Sequence, residues 1–321
     1  MATTPNSLTA RAPVRLPPMP GEREASDRCP SIELERSTVV DGQLVFERPN
    51  GLLRALTHGF FLIRIPEGLD LAGADAFAAH FFEDPTGEEP DGGDGLDHFR
   101  GFRHLAVPGD YQGYFDREHD QWENFYIARE NWPMLPPGVA AAGERLADLG
   151  ITVLRSVLGS LGLPEEDWAE VTGGLTDQQG HQMLAFNHFR PEKEVRGSKF
   201  HRDSGWVTIL RSVEPGLLAL IDGTLSSIDP VPGYFIANFG SSIEVLTELL
   251  PTPVRANVHG VVRTQRVTGQ PHRTSYVIFL DSDLDGTIYR YEDGRPRAIQ
   301  SMRDFAVQEV NRTYDNENSG L

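Results

Sequence analysis

From about residue 180 the chain breaks into short β-rich runs separated by Gly and Pro, and no other feature constrains the fold as tightly. Residues 183–189, 207–210, 217–221, 234–238, 254–262 and 274–280 each carry β-branched or aromatic side chains over the length of one strand. Six such runs in about a hundred residues predict a sandwich or jelly-roll barrel. The earlier half has a different period. Residues 60–65 read as a strand and 71–82 as an amphipathic helix. Residues 139–163 place Leu146, Leu149, Val153, Leu154, Val157, Leu158 and Leu161 at steps of three and four, which makes one long packed helix.

The remaining segments set the organisation. Residues 1–30 hold six prolines without apolar periodicity and read as a flexible arm, 84–97 as an exposed loop, 299–310 as a helix and the end from Tyr314 as a polar tail. The expectation is a single α+β domain. Residues 31–180 form its helix-rich portion, 181–285 its β core with the functional site, and 286–321 a C-terminal helix and tail.

Composition narrows the classes of function. At 321 residues with 39% apolar content the chain can bury a sizeable core. Cys29 is the one cysteine, which excludes an intrachain disulfide and argues against thiolate metal sites, as expected for a reducing cytoplasm. No run approaches the roughly 18 apolar residues of a membrane span. A net charge of −18 repels phosphate backbones, so no nucleic-acid partner is expected. The acidity is read as a solubility feature in preference to attraction of a cationic substrate. No obligate protein partner is evident.

The chemistry is concentrated in the β-rich half. His201 is the one histidine of ten followed two residues later by Asp, in His201-Arg202-Asp203. With 47 acidic residues in the chain, roughly one or two His-x-acid triplets arise by chance, so the triplet needs support. Positions i and i+2 of an extended segment share a face, so one strand end can present both groups. His259, within the run 254–262, supplies a third ligand from a neighbouring strand. Two His and one carboxylate form a facial triad suited to iron(II), with open positions for other ligands. His272 is the rival third ligand, but strand alternation turns it away from Arg273. Arg273-Thr274-Ser275 then offers a guanidinium fork and a hydroxyl on one face, a receptor for a carboxylate.

In this order and spacing the sequence resembles the iron(II) and 2-oxoglutarate oxygenases, in their isopenicillin N synthase-like branch. Smaller echoes are His58-Gly59-Phe60-Phe61, Phe81-Phe82 with Pro85, Arg100-Gly101-Phe102 and Trp132-Pro133. The resemblance spans most of residues 50 to 312. It implies a distorted double-stranded β-helix, cupin-like, with flanking helices. It also implies Fe(II) on His201, Asp203 and His259, with Arg273 and Ser275 holding 2-oxoglutarate as co-substrate and O2 as oxidant. Where the family often has Asn-x-Tyr-Pro, this chain has Asn187-His188-Phe189-Arg190, so Asn187 or His188 replaces the tyrosine as a co-substrate donor. The usual Asn-Gly turn before the distal histidine is replaced by Leu-Thr-Glu-Leu-Leu at 246–250. Arg100, Arg103 and Tyr126 lie where the family's N-terminal half reaches toward substrate.

The resemblance implies a dioxygenase that oxidises, by default hydroxylates, a small metabolite in secondary-metabolite or antibiotic biosynthesis, with release of succinate and CO2. Two alternatives stay open. In isopenicillin N synthase the same Arg and Ser hold a substrate carboxylate without 2-oxoglutarate, which gives an oxidative cyclase. A non-catalytic metal-binding or sensing barrel would carry the same ligands.

Overall fold

The computed structural model describes residues 19–87, 95–265 and 269–313. The first half forms α1 (Glu22–Arg28), β1 (Arg36–Val40), β2 (Gln43–Phe46), α2 (Gly51–His58), β3 (Phe60–Arg64), α3 (Ala72–His80), β4 (Gly113–Asp116), β5 (Trp122–Ala128), α4 (Pro137–Ser160) and α5 (Glu165–Val171). The second half forms β6 (His181–Phe189), β7 (Ser198–His201), β8 (Val207–Ser212), β9 (Leu217–Ile221), β10 (Thr224–Ile228), β11 (Tyr234–Phe239), α6 (Ser241–Thr247), β12 (His259–Val261), β13 (Thr274–Asp281), β14 (Thr287–Glu292), β15 (Arg295–Ser301) and α7 (Met302–Thr313).

The strands from β6 to β13 alternate between two facing sheets. The large sheet runs β2-β1-β3-β11-β8-β13-β6-β5-β4 and the small one β10-β9-β12-β7. The chain therefore crosses from β6 in the large sheet to β7 in the small one, and back to β8. It crosses again at β9, β11, β12 and β13. This winding is a double-stranded β-helix, so the expected α+β fold with flanking helices is what the chain adopts. The β14-β15 hairpin stands apart from both sheets.

Strand alternation divides the apolar residues between two layers. In β3, Phe61 and Ile63 join the layer under the helices, whereas Phe60 and Leu62 face the small sheet. The helix-side layer is dominated by α4, whose Leu146, Val153, Leu154 and Val157 are fully buried. Truncating any of these leucines to Ala would cost about 2–5 kcal/mol. Two glycines let α4 lie close on the sheet: a Cβ at Gly143 would stand 2.6 Å from Leu184, and one at Gly150 2.4 Å from Leu280. Gly59 ends α2 in the left-handed conformation at φ 69° and redirects the chain into β3, against the carbonyl of Arg255.

Several expectations are corrected. The part of the proposed arm that lies within the described residues contains α1, which packs Ala25 against Phe200 and Val258. Residues 1–18, the tail from 314 and the 88–94 part of the predicted loop lie outside the described residues. The predicted helix at 299–310 begins at Met302, because 295–301 pairs with β14. The strand expected over 254–262 is regular only from His259 to Val261. Strands β4 and β10 carry no apolar run long enough to announce them, whereas β5 does, in Phe125-Tyr126-Ile127-Ala128, and is an addition to the expected strands.

Candidate functional site

His201 closes β7, His259 opens β12, and the two are register partners across that strand pair. Asp203 lies in the turn beyond β7, so the His-x-Asp pair straddles the end of a strand. Asp203 Oδ1 lies 3.7 Å from His201 Nε2 and 3.6 Å from His259 Nε2. One ligand atom from each residue falls within 4.8 Å of the others. A metal with bonds of about 2.1 Å would hold adjacent ligand atoms roughly 3.0 to 3.6 Å apart, so the three residues fit one ion with minor closure. Two imidazoles and one carboxylate are the donor set that suits iron(II).

Neighbouring groups fix each ligand. Thr208 Oγ1 and Asn238 Nδ2 donate to the other carboxylate oxygen of Asp203, Oδ2, at 2.6 and 2.7 Å, leaving Oδ1 turned toward the histidines. His201 Nδ1 donates to the Lys199 carbonyl at 2.9 Å and His259 Nδ1 to the Asn257 carbonyl at 3.1 Å. Both rings are thereby held with a bare Nε2 facing the site. Burial, and then the neighbouring His259, push the His201 pKa down to about 4, so this imidazole is neutral and ready to ligate. Burial works against the Asp203 carboxylate. The nearby His259 and His201 and its two hydrogen bonds outweigh that and hold its pKa below the usual carboxylate range.

The same cavity, of about 300 Å³, is lined by the three residues and by Arg273, Ser275 and Asn187. Arg273 is buried with its guanidinium 4.5 Å over the Phe189 ring, donating to the Pro215 carbonyl and to Ser212 Oγ. Ser275 stands opposite Asn187 in the register of β13 with β6, and Asn187 Nδ2 donates to Ser275 Oγ at 3.3 Å. Asn124 Nδ2 donates in turn to Asn187 Oδ1. Thus three polar side chains from β5, β6 and β13 meet on the inner face of the large sheet.

Other expected residues lie elsewhere. His188, one residue from Asn187, points to the opposite face. There its Nδ1–H donates to Glu123 at 2.6 Å and its Nε2 pairs with His272 at 2.7 Å, with Phe82 stacked on the ring at 3.5 Å. Burial pushes the His188 pKa down despite the Glu123 charge. His188 is therefore not a co-substrate donor. Arg100 is held by Glu83 at 2.8 Å and Asp97 at 2.9 Å, and Arg103 reaches Tyr114 and Glu123. Neither lines the cavity, whereas Tyr126 does. Carboxylates of Glu83, Asp97 and Glu123 engage the two arginines away from the cavity lining.

Cavity residues that the sequence reading missed include Phe115, Arg117, Asp281 and His181. A signal for the last two was present. Residues 275, 277, 279 and 281 share one face of β13, and 181, 183, 187 and 189 one face of β6. Asp281 and His181 are register partners on the face that carries Ser275 and Asn187. Burial pushes the Asp281 carboxyl up to about 6, against the pull of His181.

Residues 180–282 match the model of the 2OG-Fe(II) oxygenase superfamily. The sequence resembles that superfamily where the site is built. Jasmonate-induced oxygenase 2 of Arabidopsis thaliana is 28% identical over 223 residues, covering 59% of this chain and 57% of that protein. The oxoglutarate-dependent flavonoid 7-O-demethylase 1 of Ocimum basilicum is 29% identical over 165 residues, covering 49% of this chain and 41% of that protein. The chain thus spans about half the length of these curated relatives. A crystal structure of JOX2 in complex with 2OG, Fe and JA superposes with a TM-score of 0.61 at 20% identity, covering 94% of this chain and 91% of that one. The shared fold is the double-stranded β-helix of 2-oxoglutarate oxygenases.

Proposed function

We propose that this chain is an Fe(II)- and 2-oxoglutarate-dependent dioxygenase acting on a small molecule. The observation that carries this reading is the convergence of His201, Asp203 and His259 at a cavity that also receives Arg273 and Ser275. Iron(II) at the triad would activate O2 with 2-oxoglutarate as the reductant, yielding succinate, CO2 and an oxidised substrate. The chain's own contribution is placement. Thr208 and Asn238 aim Asp203, and two backbone carbonyls aim the histidines. Arg273 and Ser275 offer a cationic fork and a hydroxyl to the distal carboxylate of 2-oxoglutarate, with Asn187 beside them. Apolar walls such as Phe60, Leu217 and Val261 keep water from the reacting centre.

Hydroxylation is the outcome we assign, with one oxygen atom entering succinate and the other the product. The isopenicillin N synthase-like branch and a role in secondary metabolism, including antibiotic tailoring, are the finer placement we favour. The similar Arabidopsis and Ocimum enzymes, named for jasmonate and a flavonoid, also support a small organic substrate. In the test, iron-loaded protein and 2-oxoglutarate are incubated in air and succinate is measured. Slow succinate release that disappears in Arg273→Gln is expected. Oxygen uptake that is indifferent to 2-oxoglutarate would instead favour the oxidative cyclase.

A further inference from the structure

We propose that Asp281 anchors the substrate by taking a protonated amine carried on an apolar or aromatic body. This deepens the reading above and rests on the cavity being the substrate site. Asp281 ends β13 on the inner face and lines the same cavity as His201, Asp203 and His259. One of its oxygens, Oδ1, accepts from Ser204 Oγ at 3.2 Å. Among the described residues no Lys, Arg or His nitrogen stands within ion-pair distance of it. Its strand partner His181 contributes only at longer range.

Asp281 is half-buried; an ionised carboxylate there can only accept hydrogen bonds, and one partly shielded from water is best met by a cation or several donors. The protein provides one hydroxyl. Space has nonetheless been kept for the carboxylate: a Cβ on Gly205 would stand 2.5 Å from Asp281 Oδ1, so glycine there admits the acid against the backbone. The other charged groups around the cavity are directed elsewhere. Arg273 is turned to Ser212 and Pro215, Arg202 donates to the Ala256 carbonyl, Arg117 donates to Asn124 and Glu309 accepts from Ser241. Apart from His181 and Ser204, the wall near this end is largely apolar or aromatic, with Phe115, Tyr126, Met183 and Phe279. A cavity of about 300 Å³ that also admits 2-oxoglutarate leaves room for a small amine.

The test uses nickel-loaded protein with 2-oxoglutarate, which keeps the site filled without turnover. Phenethylamine and 2-phenylethanol serve as matched probes, read by calorimetry and by ligand-observed NMR. The proposal expects phenethylamine to bind at least about tenfold more tightly than the alcohol. That preference should vanish in Asp281→Asn, while 2-oxoglutarate binding and the melting curve confirm an intact variant. Equal binding of the two probes, no amine binding at millimolar concentration, or a preference that survives Asp281→Asn would overturn it. Arg273→Gln separates the two readings, because loss of 2-oxoglutarate binding there should leave the amine preference in place. If the parent protein fails to bind 2-oxoglutarate yet prefers the amine through Asp281, the proposed co-substrate falls and the anchor stands.

Discussion

Asp281→Asn in the metal-free protein should change how stability depends on pH. Burial pushes the Asp281 carboxyl up to about 6 in the folded chain, roughly two pH units above an unfolded aspartate. The folded state therefore binds more protons than the unfolded state between about pH 4 and 6, and stability falls as pH rises through that window. Two units correspond to at most about 3 kcal/mol, reduced by the solvent contact the half-buried side chain keeps, fully felt above pH 7 and absent below about pH 4. Asn carries no charge at any pH and keeps an oxygen for Ser204 Oγ. Its new NH2 group costs about 1–3 kcal/mol where no acceptor meets it, an offset independent of pH. The stability difference, variant minus parent, should thus rise by about 1–3 kcal/mol from pH 4 to pH 7.5, whatever its absolute sign. Urea unfolding at several pH values measures this directly. A difference that stays constant across the window would refute the claim that the half-buried acid faces the cavity without a cation.

Three further outcomes follow from named contacts. Asn238→Leu removes a donor to Asp203 Oδ2 and should weaken metal binding by about 10–100-fold by calorimetry, with the fold retained by circular dichroism. Gly197→Ala would bring a Cβ to 2.1 Å from the Val262 carbonyl between β7 and β12, so a loss of more than about 3 kcal/mol, or failure to express soluble protein, is expected in a denaturation and solubility screen. Glu123→Leu strips a buried acid that accepts from His188 and Tyr114 and should cost about 3–5 kcal/mol in the same unfolding assay, with metal affinity unchanged.

The parts of the site that could be read from sequence are those written in short spacings. His201-Arg202-Asp203 and Arg273-Thr274-Ser275 are local patterns whose geometry follows from one extended segment. His259 was found through its interval from them. What positions these groups was not legible: Asn238 reaches Asp203 and Asn124 reaches Asn187 only through long-range strand pairing, and Thr208, though close to Asp203 in sequence, shows no pattern that marks it as a donor. The partners of Arg100 and Arg103 were hard to read for a related reason. Asp97 lies three residues from Arg100 and is a local partner, but Glu83 and Glu123 are distant in sequence, and no local pattern shows that they engage Arg100 and Arg103. The long helix was evident from its period, whereas 295–301 was hidden because Arg295-Pro296-Arg297 lacks apolar alternation, and its pairing partner β14 supplies the order. Asp281 and His181 could have been found by following the two-residue period of their strands to the last residue on the cavity face.

The central claim is that His201, Asp203 and His259 hold an iron(II) ion to which 2-oxoglutarate binds. Anaerobic titration of the iron-loaded protein with 2-oxoglutarate tests it most directly, through the weak visible charge-transfer band of the chelate. One iron per chain and a saturable band that is lost in His259→Ala are expected. A band that persists in His259→Ala, or parent protein that binds iron and develops none, would contradict it.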